Sequence, residues 1–135
     1  MITFAGAKDR RNRMANEITI AANFTVSNGE LTINRVGPTS VQVDQTNAGY
    51  KVLTQNIGTS AETVDTTDLT SEGYCYMKNL DTTNFIKYGP DSTGQVDFGK
   101  LKPGESALMR LFPGLVLKAT ADTAACDLLV VVLED

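Results

Sequence analysis

Apolar and polar residues alternate over short runs of the chain, and turn residues separate these runs. A period of two places successive side chains on opposite faces of a strand, so it indicates half-buried β-strands. Each of the four prolines lies beside a glycine, and none lies inside an apolar run. Because proline cannot donate into a sheet ladder, these pairs are predicted to punctuate the strands. They are Gly37-Pro38, Gly89-Pro90, Pro103-Gly104 and Pro113-Gly114.

The pattern before residue 60 predicts a hairpin followed by two further strands. Residues 17–26 alternate as a strand, and Asn28-Gly29 then favours a tight turn, since both residues accept a positive φ. The second strand runs from Leu31 to Val36, and we expect Gly37-Pro38 to end it. A short third strand is predicted around Val41 and Val43, and a fourth over residues 50–58.

The pattern after residue 60 predicts the remaining strands. The polar connection 59–73 has room for a short strand near Glu62 to Val64. Further on, Tyr74 and Tyr76 alternate with Cys75 and Met77, and the chain closes on the nearly unbroken apolar run 128–133. A strand that is apolar on both faces is predicted to be central in its sheet. With eight to ten strands at roughly ten-residue spacing and no helical period, the sequence predicts an all-β antiparallel β-sandwich.

Length and charge predict one domain with an appended arm. A chain of 135 residues forms a single domain, which we place at residues 17–135. Residues 1–16 have no regular apolar period. They contain four basic residues and one acidic residue, for a net charge of +3. The other residues hold 8 basic and 15 acidic groups, for a net charge of −7. The basic arm is interpreted as a solvated leader, a tether on a partner subunit or, with least support, a contact to nucleic acid.

The absence of histidine restricts the possible chemistry. It excludes a Ser-His-Asp triad, a histidine zinc site and a cupin-type metal site, while catalysis by carboxylates, Lys or Tyr carries no visible signature. Asp65, Asp68 and Glu72 do not have the spacing of a calcium loop, so we expect turn formation and solvation there. The sequence predicts no cofactor and no metal.

Two cysteines, Cys75 and Cys126, lie 51 residues apart in apolar surroundings and form no CxxC motif. Buried free thiols are expected, with a disulfide as the alternative. No segment has a signal-peptide layout, and the longest apolar run is far too short to span a bilayer. We therefore expect a protein kept in a reducing cytoplasm, or assembled there into something larger.

Two pieces of the chain carry a family resemblance. They are IGTSAETVDTTDLTSEGYCYMKNLDTTNFIKYG (57–89) and LKPGESALMRLFPGLVLKATADTAACDLLVVVLED (101–135). With a Gly-Tyr strand, a Lys-Asn-Leu-Asp turn and a Lys-Pro-Gly-Glu turn, they resemble small tailed-bacteriophage virion proteins of the jelly-roll type. The same turns are also chemistry that any sandwich could use.

The resemblance implies a jelly-roll-like sandwich that cements or decorates the outside of a phage capsid and is not an enzyme. It implies the major capsid protein as partner, a dimeric or trimeric homo-oligomer, no direct contact with nucleic acid or membrane, and location on the virion after assembly in the host cytoplasm. The alternatives are a tail or fibre module that binds a host glycan and, less favoured, a sandwich hydrolase. For the capsid contact we predict the basic residues of the arm, namely Lys8, Arg10, Arg11 and Arg13.

Overall fold

The structure is a computed structural model that describes residues 17–28, 31–45 and 47–135. These residues form ten β-strands and no helix, and every strand pair is antiparallel, which confirms the predicted fold class. The predicted arm, with Lys8, Arg10, Arg11 and Arg13, lies outside the described residues. The strands are β1 (Ile18–Asn28), β2 (Leu31–Val43), β3 (Tyr50–Ile57), β4 (Glu62–Thr63), β5 (Glu72–Asn79), β6 (Ile86–Pro90), β7 (Gly99–Leu101), β8 (Ser106–Arg110), β9 (Leu117–Ala121) and β10 (Cys126–Glu134).

The chain divides into two compact units, with the boundary between Thr46 and Asn47. In the described part of the first unit, β1 and β2 pair with each other in a two-stranded sheet. The second unit holds the other eight strands in two four-stranded sheets. The predicted extent of a single domain over residues 17–135 stays a prediction.

The second strand of the hairpin is longer than the sequence predicts. We expected Gly37-Pro38 to end it and a separate strand to follow, which is wrong: β2 continues through both residues to Val43. The register explains how, because Ala22 pairs with Thr39 and Phe24 pairs with Val36, so that two residues of β2 oppose one of β1. This bulge accommodates proline in a sheet whose strands are both edges.

The sheets of the second unit have the strand order of a jelly roll. One sheet has the order β3-β10-β5-β8 and the other has the order β4-β9-β6-β7. The first strand of the unit therefore lies beside the last, the second beside the next to last, and so on inward, as in one long antiparallel hairpin rolled into two layers. Jelly rolls are built in this way from eight strands in two sheets.

One apolar core joins the two layers of this sandwich. Burial alternates along β5 and β10, with Cys75, Met77, Leu128 and Val130 fully buried. The other sheet supplies Ile86, Leu117 and Ala119, among others, to the same cluster. As predicted, β10 lies in the interior of its sheet, between β3 and β5.

Candidate docking surface

The most exposed apolar side chains of the described residues border a groove in the sandwich. Phe112 is 81% exposed and Phe98 is 76% exposed, more than the other exposed large apolar side chains of the described residues. The groove has a volume of about 290 Å³, and we call it the phenylalanine groove. Its lining comes from both sheets and includes Tyr88, Pro90, Phe98, Leu111, Phe112 and Leu117.

Phe98 is held in place by backbone pairing and by an aromatic contact. The segment leading to β7 lies alongside β6, where Val96 donates its N–H to the carbonyl of Pro90 at 2.9 Å and Phe98 donates to Tyr88 at 2.9 Å. The Phe98 ring also meets the Tyr88 ring edge to face, at a centroid distance of 6.4 Å. Lys87 and Asp97 form an ion pair of 2.9 Å beside it. The exposed ring therefore has little freedom to lose on binding.

Phe112 opens a tight turn. Leu115 donates its N–H to the Phe112 carbonyl at 3.0 Å, and Gly114 has a φ of 84°. Proline at the second position and a positive φ at the third are the marks of a type II turn, as the Pro-Gly pair predicts. Glu72 fixes the turn further, since its carboxylate accepts the N–H of Gly114 at 3.0 Å. The backbone that carries the second exposed ring is thus also fixed.

Strand β8 leaves one edge open beside the groove. Leu111 donates to Gly73, and Asn79 donates to Glu105, so the odd-numbered residues of β8 are those that bond to β5. The N–H and C=O groups of Ser106, Leu108 and Arg110 therefore point away from β5, and no described strand pairs with them. An open edge of this kind accepts an extended segment of another chain.

A second apolar surface lies on the outer face of the sheet that contains β8. The strand register places one residue from each strand in a row, which we call the outer band: Val52, Val131, Tyr76 and Leu108. Val52 is 57% exposed and Leu108 is 49% exposed. The next row begins with Tyr50, which is 69% exposed and is paired with Leu133. Most soluble monomers expose apolar residues singly, so a row that crosses all four strands marks an interaction surface.

The acidic residues of the connection between β4 and β5 serve the fold. Lys51 donates to Asp65 at 2.9 Å, and Asp65 also accepts hydrogen bonds from the backbone and hydroxyl of Thr67. The Thr67 hydroxyl and Lys51 lower the pKa of Asp65 to about 2. Glu134 accepts from the backbone and hydroxyl of Thr70, and the backbone bond is the larger cause of its lowered pKa. Over the described residues, no three His, Cys, Asp or Glu side chains are grouped to hold a metal.

Acid is expected to weaken these anchors. Asp65, Glu72 and Glu134 each have a folded pKa below the ordinary value, so their stabilisation is present above about pH 4.5 and is lost as the pH falls. The contribution of Asp65 is lost as the pH falls through its folded pKa of about 2. In thermal unfolding from pH 7 to pH 2, Asp65→Asn should melt below the unmodified chain at pH 7 and converge with it near pH 2. Parallel melting curves over this range would contradict the assignment.

Both cysteines are free and buried, as expected. Burial raises the pKa of the Cys75 thiol to about 11. Burial, and then the nearby carboxylates led by Asp81, also raise the pKa of Cys126. Since the thiolate is the reactive form of cysteine, neither thiol is activated as a nucleophile.

The sequence did not single out Phe98 and Phe112. Two apolar residues in turn regions carry no periodic signal, and only the fold brings residues 88–90, 98 and 109–117 together at one groove. The predicted contact residues in the arm, Lys8, Arg10, Arg11 and Arg13, lie outside the part of the chain that the structure describes.

No helix among the described residues is long and apolar enough to cross a membrane. Compared with known proteins, the chain matches no family model, no curated protein and no solved structure.

Proposed function

We propose that the protein is a structural component of a tailed-phage virion, which binds the outside of the capsid and stabilises it by multivalent surface contacts. The observation that carries this proposal is the pair of exposed rings, carried on fixed backbone segments, at an apolar groove beside the open edge of β8. Buried aromatic anchors are frequent hot spots of protein interfaces. The jelly roll is, in addition, a common fold of capsid proteins.

The mechanism is adhesion without chemical change, so the protein is proposed to be a binding protein and not an enzyme. An extended segment of the major capsid protein pairs with the N–H and C=O groups of Ser106, Leu108 and Arg110 and places an apolar side chain in the phenylalanine groove. Backbone pairing supplies affinity in such complexes, and the groove supplies specificity. A homo-oligomer, dimer or trimer, repeats this contact and converts weak single interfaces into firm attachment at the capsid surface.

The basic arm supplies a second, electrostatic contact in this proposal. Arg10, Arg11 and Arg13, with Lys8, pair with carboxylates on the capsid, because guanidinium groups bind carboxylates in a bidentate way. Reversing the charge of the three arginines should weaken capsid binding at physiological salt. Unchanged binding would show that the arm does not contribute to attachment. It would not affect the proposed contact at the groove.

The groove contact is tested by sedimenting the purified protein with assembled heads that lack it. The double variant Phe98→Asp/Phe112→Asp should bind at least about tenfold more weakly, since two desolvated aromatic anchors are lost. Ser60→Asp is the matched control, because it adds the same kind of charge at an exposed residue outside the groove. The unmodified protein and the control should also raise the melting temperature of the heads, as a bound stabilising partner does.

Binding by the double variant that equals binding by Ser60→Asp would overturn the role of the groove. Failure of the unmodified protein to bind heads would overturn the proposed function itself.

A glycan-binding tail module is the second candidate, because Tyr50 is 69% exposed and aromatic rings stack on sugars. Glycan-array binding that is lost in Tyr50→Ala, without binding to heads, would favour that alternative.

A further inference from the structure

Strand β3 leaves a second edge of the sandwich open. Glu134 donates its N–H to the carbonyl of Gly49, so the odd-numbered residues of β3 are those that bond to β10. The N–H and C=O groups of the even-numbered residues therefore point away from β10, and no described strand pairs with them. We call these residues the β3 edge: Tyr50, Val52, Thr54 and Asn56.

The segment that runs past β3 binds side chains of this strand and leaves the β3 edge open. The side-chain amide of Gln55 donates to the carbonyl of Thr63 at 2.9 Å and accepts the N–H of Asp65 at 2.9 Å. Lys51 donates to the carboxylate of Asp65 at 2.9 Å. Gln55 and Lys51 belong to the half-buried, inward set of β3 residues. These contacts therefore do not use the outward backbone groups.

The β3 edge lacks the features that keep an edge strand from pairing. Native sheets protect their edges with proline, bulges, very short strands and projecting charges. β3 has 8 residues, no proline and an unbroken register with β10. Its outward side chains are uncharged, and Tyr50 and Val52 are 69% and 57% exposed. Its one charged residue, Lys51, is already paired with Asp65, so this edge is suited to strand addition.

The β3 edge is complementary to itself. One antiparallel register sets Leu53 opposite Leu53 of a second copy. In that register Tyr50 lies opposite Asn56, and Val52 lies opposite Thr54. All open residues of both edges then bond, with about eight hydrogen bonds between the copies. A shift of the register by two residues leaves part of each edge unpaired.

We propose that two copies of this chain pair through their β3 edges, about a two-fold axis, and join their four-stranded sheets into one sheet of eight strands. No like charges meet at this junction, because Lys51 lies opposite Gln55. Backbone pairing supplies the affinity in strand additions, so the contact does not depend on a large apolar area.

The proposal concerns the free protein and goes beyond its attachment to a capsid. It also assigns different partners to the two open edges of one sheet. With the β3 edges joined, the open edge of β8 lies at each end of the combined sheet. Under the proposed function, one dimer can therefore pair with two capsid segments at once, which is the multivalent contact that firm attachment needs.

The first test blocks one edge at a time in the full-length protein. Val52→Pro removes a donor from the β3 edge, and Leu108→Pro is the matched control, which removes one from the edge of β8. Both residues lie in the outer band, and neither amide bonds within its own sheet. Sedimentation equilibrium from micromolar to millimolar concentration, without capsids, measures the Kd of the dimer.

The unmodified chain and Leu108→Pro should form dimers with the same Kd. The Kd of Val52→Pro should rise at least about tenfold, because each copy loses a backbone donor at the junction. Thermal melting shows which variants are folded. If Val52→Pro does not fold, Val52→Lys replaces it: it keeps the amide, adds a charge at the edge and should raise the Kd in the same direction.

The second test measures the register with a disulfide. Leu53→Cys places two thiols directly opposite each other on the two-fold axis, where the Cα atoms of a non-hydrogen-bonded pair lie about 4.5 Å apart, within the range of a disulfide. Asn56→Cys is the control, since residue 56 is the more exposed of the two but lies far from its own copy in this register. Under mild oxidation, Leu53→Cys should give at least about fivefold more covalent dimer. The native thiols, Cys75 and Cys126, are buried.

Four results would overturn the proposal. A chain that stays monomeric at every concentration would show that the β3 edges do not pair, and a trimer would exclude the two-fold axis. Equal weakening by Leu108→Pro and Val52→Pro would place the contact elsewhere. Equal yields of covalent dimer from Leu53→Cys and Asn56→Cys would exclude the register. Since no capsid is present, each result is independent of the proposed function.

Discussion

At pH 7 the Asn79→Asp variant is expected to be less stable than the unmodified chain by about 4 kcal/mol, because it buries a charge that faces carbonyl oxygens. Asn79 is fully buried at the end of β5. Its amide nitrogen donates to the carbonyls of Asn84 at 2.9 Å and Leu101 at 3.0 Å, and its amide oxygen accepts the N–H of Asp81 at 2.9 Å. A carboxylate keeps the last bond and replaces both donors with negative charge.

The pH dependence separates this cause from a simple loss of packing. Burial beside two carbonyls raises the folded pKa of the new carboxyl, so its destabilising effect is largest above that pKa and shrinks as the pH falls and a proton restores one donor. Asn79→Ala is the matched control, which should lose about 2 kcal/mol with no such dependence. Urea unfolding from pH 8 to pH 4 measures both, each relative to the unmodified chain. A difference between the two variants that stays constant with pH would contradict the bonding assigned to Asn79.

The strands and their inward faces could be predicted because they depend on local alternation. Tyr74 and Tyr76 were placed correctly on the opposite face of the strand from Cys75 and Met77, and Cys75 and Met77 are fully buried. The apolar run at the end of the chain was placed correctly inside its sheet, although burial alternates along it and its outward residues are only half-buried. Proline-glycine pairs also gave the correct turns after β7 and after β8, where the two glycines have φ values of 79° and 84°.

The errors and omissions have a common physical cause, which is dependence on partners distant in sequence. A Gly-Pro pair such as Gly37-Pro38 ends a strand that must hydrogen-bond to neighbours on both sides. In the two-stranded sheet β2 has one neighbour only, and a bulge accommodates the two residues within the strand. The phenylalanine groove joins residues from β6, β8 and β9 with Phe98, and no local pattern encodes that junction. An outward apolar residue such as Val52 or Leu108 follows the same alternation as an inward one, so the outer band emerges only from the register.

Gly89→Ala is expected to lower the free energy of unfolding by about 3 kcal/mol, through a clash with the backbone that presents Phe98. A Cβ atom at Gly89 would lie 1.6 Å from the carbonyl oxygen of Val96 and 2.9 Å from the amide nitrogen of Phe98. Both neighbours are backbone atoms, so the strand segment itself must move. The hydrogen bonds from Val96 to Pro90 and from Phe98 to Tyr88, each 2.9 Å, would then lengthen or break.

Gly58→Ala is the matched control for this variant. Its Cβ atom would meet only a carboxylate oxygen of Glu62, at 3.4 Å, and the end of a flexible side chain can give way. We expect its stability to stay within about 1 kcal/mol of the unmodified chain, the range usual for a Gly→Ala change at a compatible site. Hydrogen exchange locates the damage: in Gly89→Ala the amides of Val96 and Phe98 should lose protection, while those of β10 keep theirs under conditions where the variant remains folded. A displaced Phe98 opens the phenylalanine groove. Gly89→Ala should therefore also bind heads more weakly than Gly58→Ala, because the close backbone approach at Gly89 holds Phe98 at the proposed docking surface.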